Sequence, residues 1–307
     1  MAEMTDDLLD RWETDANIRG LAPKTVYGYR LSLKIFEKFL GETEILGANK
    51  LHIRSYIEDL RKCGLSASSI SQRLLAVSSF YQWAQFEGLI KENPLVGIRE
   101  RYLKSYKKDP GERHTHKLIS VAEASCLVET IVDIRDKAIV ILMLKTGIRR
   151  GELLSLEITD INWQDQSIKL KVTAKRTNRV VFFDDETARI LRRWLTVRQE
   201  RDRSSSTALW ISSWGSPIDR GAITYMIEKA ALQCGLHDPK SDKMEDHFSA
   251  HCCRHWFTTH LRRAGMPREF IQELRGDVRK EAIDIYDHID KEELRRSYLA
   301  HIPQLGV

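Results

Sequence analysis

Ser167-Ile168-Lys169-Leu170-Lys171-Val172 alternates polar and apolar side chains with a period of two, and Arg179-Val180-Val181-Phe182-Phe183 follows it across the polar stretch 173–178. A period of two sends one face of a segment into a core and the other into water, so the pair reads as a β-hairpin with 173–178 at its tip. On its C-terminal side, everything after Asp184 reads as helices joined by short loops. On its N-terminal side the spacing predicts a helix over 121–132 and an apolar helix over 134–145. Gly147 marks the turn after them, and a short helix starts near Ile148. The hairpin is therefore a small antiparallel sheet set in a mainly helical chain.

The first hundred residues carry no strand pattern. Leu8, Leu9, Trp12 and Ala16 have helical spacing over 6–17, and Ala22-Pro23-Lys24-Thr25 opens a second helix with proline in its first turn. That helix places Val26, Tyr29, Leu33, Phe36, Phe39 and Leu40 on one face. Two further helices are expected over 50–63 and 66–87, the latter with Ile70, Leu74, Val77, Tyr81 and Ala84 inward, and Asn93-Pro94 closes the region. Between Arg99 and Lys117 lie seven Lys/Arg (99, 101, 104, 107, 108, 113, 117) against three acids, with Pro110-Gly111 among them. We expect a helical domain at 1–98, an exposed basic linker at 99–116 and an α+β domain at 117–307.

A chain of 307 residues suits two cores, and 42% hydrophobic with 30% charged residues is the composition of a water-soluble protein. The longest apolar run, 138–144, is too short to span a bilayer. The acidic start Met1-Ala2-Glu3-Met4-Thr5-Asp6-Asp7 has no apolar stretch of the secretory kind, so a cytoplasmic location is expected and a membrane is not. Five scattered cysteines point to reduced thiols rather than a disulfide framework. A net charge of +5 permits nucleic-acid binding without requiring it.

Four segments of the second domain carry chemistry. They are Thr146-Gly147-Ile148-Arg149-Arg150-Gly151-Glu152-Leu153; the hairpin tip with Lys175 and Arg176; His251-Cys252-Cys253-Arg254-His255; and Tyr286-Asp287-His288, preceded by Leu274-Arg275-Gly276-Asp277. Each has an ordinary reading. Arg149 pairs with Glu152 one turn on, Lys175 is a solvated lysine, 251–255 is an amphipathic helix, and Tyr286 is a half-buried tyrosine. A zinc site of His251, Cys252, Cys253 and His255 is disfavoured, because adjacent cysteines on a regular helix cannot both face one ion and no C-x-x-C partner exists. No metal and no cofactor are expected.

In this order the four segments resemble the tyrosine recombinases, or phage-type integrases, and their archaeal branch most closely. That family carries an arginine in T-G-x-R-x-x-E-L, a hairpin lysine, H-x-x-R-H, and a tyrosine followed two residues later by histidine. Here Arg149, Lys175, His251 with Arg254 and His255, and Tyr286 with His288 answer the pattern across the second domain. The helical first domain is similar to the family's core-binding domain, whose P-x-T-x-x-x-Y segment is represented by Pro23, Lys24 and Thr25 with Tyr27 and Tyr29 nearby. One position departs. Where the family has L-G-H, with that His or Trp in the active site, Asp277 stands nine residues before Tyr286. An ionised aspartate accepts hydrogen bonds and donates none. Either it faces an arginine or the nucleophile as a positioning group, or Arg275 or His255 fills the place.

The resemblance implies a site-specific DNA recombinase that cuts and rejoins strands through a 3′-phosphotyrosyl bond on Tyr286. Arg149 and Arg254 would hold the non-bridging oxygens of the five-coordinate phosphorus with planar paired donors. His251 would donate to the phosphate or move a proton, and Lys175 would protonate the leaving 5′ oxygen, with Arg176 as the alternative. Glu152 would orient Arg149. The covalent bond stores the phosphodiester's energy, so neither metal nor ATP is implied. The partner would be double-stranded DNA, touched by Lys24, Thr25, Tyr29, Arg101, Lys104, Lys107 and Lys108, with four protomers assembled on two sites in the nucleoid. The apolar stripe Leu294, Tyr298, Leu299, Ile302 and Leu305 would pack on its own domain or on a neighbouring protomer. Two other functions fit the same motifs: an inactive DNA-binding regulator, separable by covalent-adduct formation, and type IB topoisomerase-like relaxation, separable by dependence on paired sites.

Overall fold

Helices α1 (Ala2–Ile18), α2 (Pro23–Leu40), α3 (Lys50–Lys62) and α4 (Ala67–Phe86) follow the apolar spacing of the N-terminal sequence. The computed structural model describes residues 2–103, 117–171, 180–203, 205–277 and 289–307. Pro23 begins α2 where no intrahelical N–H is needed. Asn49 caps α3 by accepting from the N–H of Leu51 at 2.9 Å, and Ser66 caps α4 by accepting from Ser69 at 3.2 Å. Leu33, Phe36, Leu74, Val77 and Phe80 are fully buried where α2 packs on α4. The chain divides into units Met1–Gly111 and Glu112–Val307. Arg99 to Arg101, expected to open the linker, instead lie in a short helix α5 (Ile98–Tyr102), whose Ile98 belongs to the first core.

In the second unit α6 (Val121–Thr130) is capped by Ser120 and α7 (Ile134–Thr146) by Asp133. Every residue of α7 from Ala138 to Thr146 is buried, as expected of a helix apolar on all sides, and α9 (Asp185–Arg201) and α11 (Ala250–Arg263) pack on it. Among the described residues the sheet has three antiparallel strands in sequence order, β1 (Ile161–Asn162), β2 (Ser167–Lys169) and β3 (Val180–Phe182). Ile168 pairs with Ile161 on one side and Val181 on the other. The hairpin of the sequence is thus present in its β2–β3 ladder, while its tip, 173–178, lies outside the described residues. β1, two residues long, carries no period to read. Asn162 sets its turn by accepting from the N–H groups of Gln164 and Asp165 at 2.9 and 3.2 Å.

One expectation is corrected: not all loops after Asp184 are short. Between α9 and α10 (Arg220–Gln233) runs a long connection whose Leu209, Trp210 and Ile211 are buried and whose bridges pair Glu157 with Ala208 and Ile211 with Pro217. Buried Arg198 supports it by donating to the carbonyls of Ser206 and Ala208, both at 2.6 Å. The apolar run Ala208 to Ile211 is too short to show a period, and the bridges and the arginine that order it are contacts of the tertiary fold.

The C-terminal stripe packs on its own domain. Helix α13 (Lys291–His301) buries Leu294 and Tyr298, and Ile302 and Leu305 join the same core. Fully buried Lys145 Nζ donates to Asp184 at 2.5 Å, Glu186 at 2.7 Å and the carbonyl of Pro303 at 2.6 Å. Glu186 also accepts from the N–H groups of Leu305 at 2.9 Å and Gly306 at 2.6 Å. Burial alone would push the Glu186 carboxyl up, but the Leu305 N–H and Lys145 outweigh it and hold the carboxyl below its ordinary value. Its stabilisation is therefore complete above the unfolded carboxylate's value and fades as pH falls through the lower folded one. Lys145→Ala leaves two buried carboxylates without their cation. We expect it to cost about 3–5 kcal/mol in urea unfolding at neutral pH, with a smaller deficit once acid has neutralised Glu186.

Candidate active site

Gly147 ends α7 in the left-handed region, φ 60°, where its N–H bonds the carbonyl of Met143. A Cβ there would lie 2.4 Å from Cδ1 of buried Phe257 on α11, so glycine is required both for the backbone and for the close approach. The turn delivers Arg149 to the N-terminus of α8 (Arg150–Leu154). Glu152, 5% exposed, takes the Arg149 backbone N–H at 2.7 Å and its Nη1 at 3.1 Å. The ordinary i,i+3 pairing is thus real, and it aims the guanidinium rather than exhausting it. Gly147→Ala is expected to destabilise the chain by about 2–4 kcal/mol from left-handed strain and overpacking, measurable in urea melts.

Helix α11 carries the second cation. Cys252, Cys253, Trp256 and Phe257 of α11 enter the core, which leaves His251 exposed and His255 half-buried on the other side. The rings of His251 and His255 stand 4.9 Å apart, edge to face. Burial pushes the Cys253 thiol far up, so it stays protonated in the core. Arg254, 5% exposed, is held by the carbonyls of Gly147 at 2.6 Å and Arg275 at 2.9 Å. Those two bonds fix the plane of its guanidinium.

Asp277 closes the arrangement. It follows α12 (Arg268–Arg275) and Gly276, whose φ of 61° ends that helix. Its Oδ1 accepts from Arg254 Nη2 at 3.1 Å and lies 3.4 Å from Arg149 Nη2, while its Oδ2 pairs with Arg275 Nε at 2.8 Å. Among the described residues, guanidinium groups from the start of α8, the second turn of α11 and the end of α12 therefore meet one carboxylate. Asp277 thus faces arginines, as the first of its two readings has it, and Arg275, named in the second, stands beside it. Beside it a cavity of 540 Å³ is lined by Arg149, Arg150, His251, Arg254, Arg275 and Thr224. The motifs gave no reason to select Arg150 or Thr224. Arg150 bonds the Thr224 hydroxyl of α10, a contact between helices far apart in sequence.

Such a site suits an anion with several oxygens. Arg149 and Arg254 both direct donors at one oxygen, and His251 on the same cavity adds a group able to donate a hydrogen bond or carry a proton. Lys175, Arg176, Tyr286 and His288 lie outside the described residues, as do Lys104, Lys107 and Lys108. In the first unit Lys24, Thr25 and Arg101 are exposed. Tyr29 is half-buried and stacks on Trp12 with ring centroids 6.3 Å apart, whereas Tyr27 is 72% exposed.

Comparison with known proteins agrees with this arrangement. Residues 113–293 match the phage integrase family, and residues 9–88 match the N-terminal SAM-like domain of phage integrases. The tyrosine recombinase XerC of Alcanivorax borkumensis is 28% identical over 284 residues, covering 92% of this chain and 89% of that protein. The tyrosine recombinase XerD of Corynebacterium glutamicum is 27% identical over 316 residues, covering 97% and 98%. Among solved structures, a lambda integrase dimer bound to a COC′ core site shares the fold, with a TM-score of 0.70, 18% identity and coverage of 93% and 98%. These matches carry the family as a whole and no branch of it, archaeal or other. With the family's profile spanning most of the domain in which two arginines and a histidine meet at one cavity, the chain belongs to the phage integrase family, the tyrosine recombinases.

Proposed function

We propose that the chain is a site-specific DNA recombinase that cleaves a strand by attack of Tyr286 on phosphorus and rejoins it to another. The observation that carries this reading is the convergence of Arg149 and Arg254 on one carboxylate oxygen, Oδ1 of Asp277, at 3.4 and 3.1 Å, beside a cavity that His251 also lines. A phosphate entering there meets fixed donors where charge grows as the phosphorus becomes five-coordinate. Tyr286 would supply the nucleophilic oxygen, its phenolate favoured by the neighbouring cations. Lys175, or Arg176 beside it, would return a proton to the 5′ oxygen, and Glu152 holds Arg149 in register. The residues need neither metal nor ATP for this exchange. Residues 1–98 would grip the duplex with 117–307, the basic segment 99–116 adding phosphate contacts, and a tetramer would form on paired sites of nucleoid DNA. The similarity to the tyrosine recombinases XerC and XerD supports the same activity.

The test is recovery of detergent-stable protein–DNA adducts from nicked duplexes of randomised sequence, with chelator present and nucleotide absent. Adducts support strand transfer, and binding without adducts would return the chain to the inactive-regulator reading. Dependence of plasmid products on paired sites separates recombination from simple relaxation.

Asp277 must yield to the phosphate, since it holds the same donors. Asp277→Asn is expected to tighten duplex binding several-fold and to steepen the log-log salt dependence by about one unit, as two arginines are released to the backbone. Weaker binding with an unchanged slope would make Asp277 a structural clamp only.

A further inference from the structure

Outside the site, two thiols face each other. Cys126 on α6 and Cys234, the residue after α10, have sulfurs 3.7 Å apart although they are separated by 108 positions in the chain. Cys126 is exposed and Cys234 is partly exposed, so small oxidants reach the pair. Cys234 also lies 3.3 Å from the Thr130 hydroxyl, which fixes its rotamer towards α6. The other cysteines differ: Cys252 and Cys253 are buried, and Cys63 is exposed in the other unit.

We propose that Cys126 and Cys234 form a reversible redox site that closes to a disulfide by exchange with a small-molecule disulfide such as glutathione disulfide. The sulfurs are in contact, and closing to the bond length of about 2 Å requires side-chain rotation and a small approach of the helices. The Cys126 thiolate attacks one glutathione sulfur, forming a mixed disulfide and releasing one glutathione thiolate. The Cys234 thiolate then attacks Cys126 sulfur, closes the protein disulfide and releases the second. The two cysteine protons end on the two glutathione thiols, so two protein thiols and one disulfide become one protein disulfide and two thiols. Exposure gives Cys126 the first step. Burial pushes the Cys234 thiol up, which suits it to the second, intramolecular step where proximity replaces thiolate abundance.

Closing the bond would staple α6 to the C-terminal end of α10. That helix also carries Thr224, the partner of Arg150 at the cavity, so the staple restrains one wall of the anion site. A loop of this length constrains the unfolded chain strongly, and Tm is expected to rise by about 5–15 °C on oxidation.

The test is a titration of the reduced full chain with glutathione disulfide at increasing oxidised-to-reduced ratios, quenched by alkylation and read by intact mass and peptide mapping. The expected product has lost two hydrogen atoms and yields a peptide pair joined through Cys126 and Cys234, with the Tm rise reversed by dithiothreitol. Cys126→Ser and Cys234→Ser should each remove both the crosslink and the Tm rise. Cys63 reports whether an exposed thiol has reacted. If Cys63 carries glutathione while Cys126 and Cys234 stay free or each carry a separate adduct, the proposal is overturned. DNA cleavage plays no part in this readout, so it stands or falls apart from the recombinase reading.

Discussion

A Tyr286→Phe chain is expected to bind duplex DNA as the unaltered protein does and to form no covalent adduct with it. Phenylalanine keeps the ring and removes only the oxygen that would become bonded to phosphorus. Arg149, Arg254 and His251 remain to hold the phosphate, so affinity should change less than about threefold, whereas strand cleavage should fall on the order of 10⁴-fold or more, as when the nucleophile is removed from other covalent enzymes. The chain offers nine tyrosines, and a control must show that the loss is specific. Tyr298 serves well. It is fully buried and donates its hydroxyl to the carbonyl of Lys145 at 3.0 Å, so Tyr298→Phe should cost about 1 kcal/mol of stability and leave adduct formation intact. Burial pushes its phenol well above the ordinary value, with Asp184 and Glu186 adding to the effect, which is the opposite of what a nucleophile needs. If Tyr286→Phe still forms an adduct, the covalent residue lies elsewhere and the proposed chemistry is misassigned.

What the sequence disclosed and what it hid divide along physical lines. The helices of the first unit were legible because burial of one face leaves a period, and Leu33, Phe36, Leu74 and Val77 occupy the positions that period assigns. Arg149, His251 and Arg254 were legible as an ordered set, and the structure brings all three to one cavity. Nothing periodic marks the rest. Lys145 looked like the charged end of an apolar helix, yet its partners Asp184 and Glu186 lie 39 and 41 positions away and its burial exists only because they do. Asp277 looked like a misfit. Its role depends on where three separate helices bring their arginines, and a carboxylate that would be repelled by a phosphate becomes reasonable when those guanidinium groups face it. Such pairings are properties of the tertiary fold, and one sequence records the residues without recording who meets whom.

The same reasoning makes Arg254 the most exacting position in the described part of the site. Arg254→Lys keeps the charge, but Nη1 meets the Gly147 carbonyl at 2.6 Å while Nη2 meets the Arg275 carbonyl at 2.9 Å and Asp277 at 3.1 Å, and one ammonium nitrogen cannot stand at both ends of that fork. We expect cleavage to fall roughly 10²- to 10³-fold, the usual loss when a fixed donor to developing charge is removed. Urea melts should show a loss of about 1–3 kcal/mol, because the buried Gly147 carbonyl and the partly buried Arg275 carbonyl lose their donor. Arg149→Lys is the comparison. Its side chain is 33% exposed and its ties are to Glu152 and Asp277, so the fold should barely notice the change while cleavage still drops. The two variants thus separate stability from chemistry. In both, duplex affinity should change far less than cleavage, since the arginines act mainly on charge that appears in the transition state. An equal fall in affinity and in cleavage would place them in ground-state binding, and the extra charge of the five-coordinate phosphorus would need another partner.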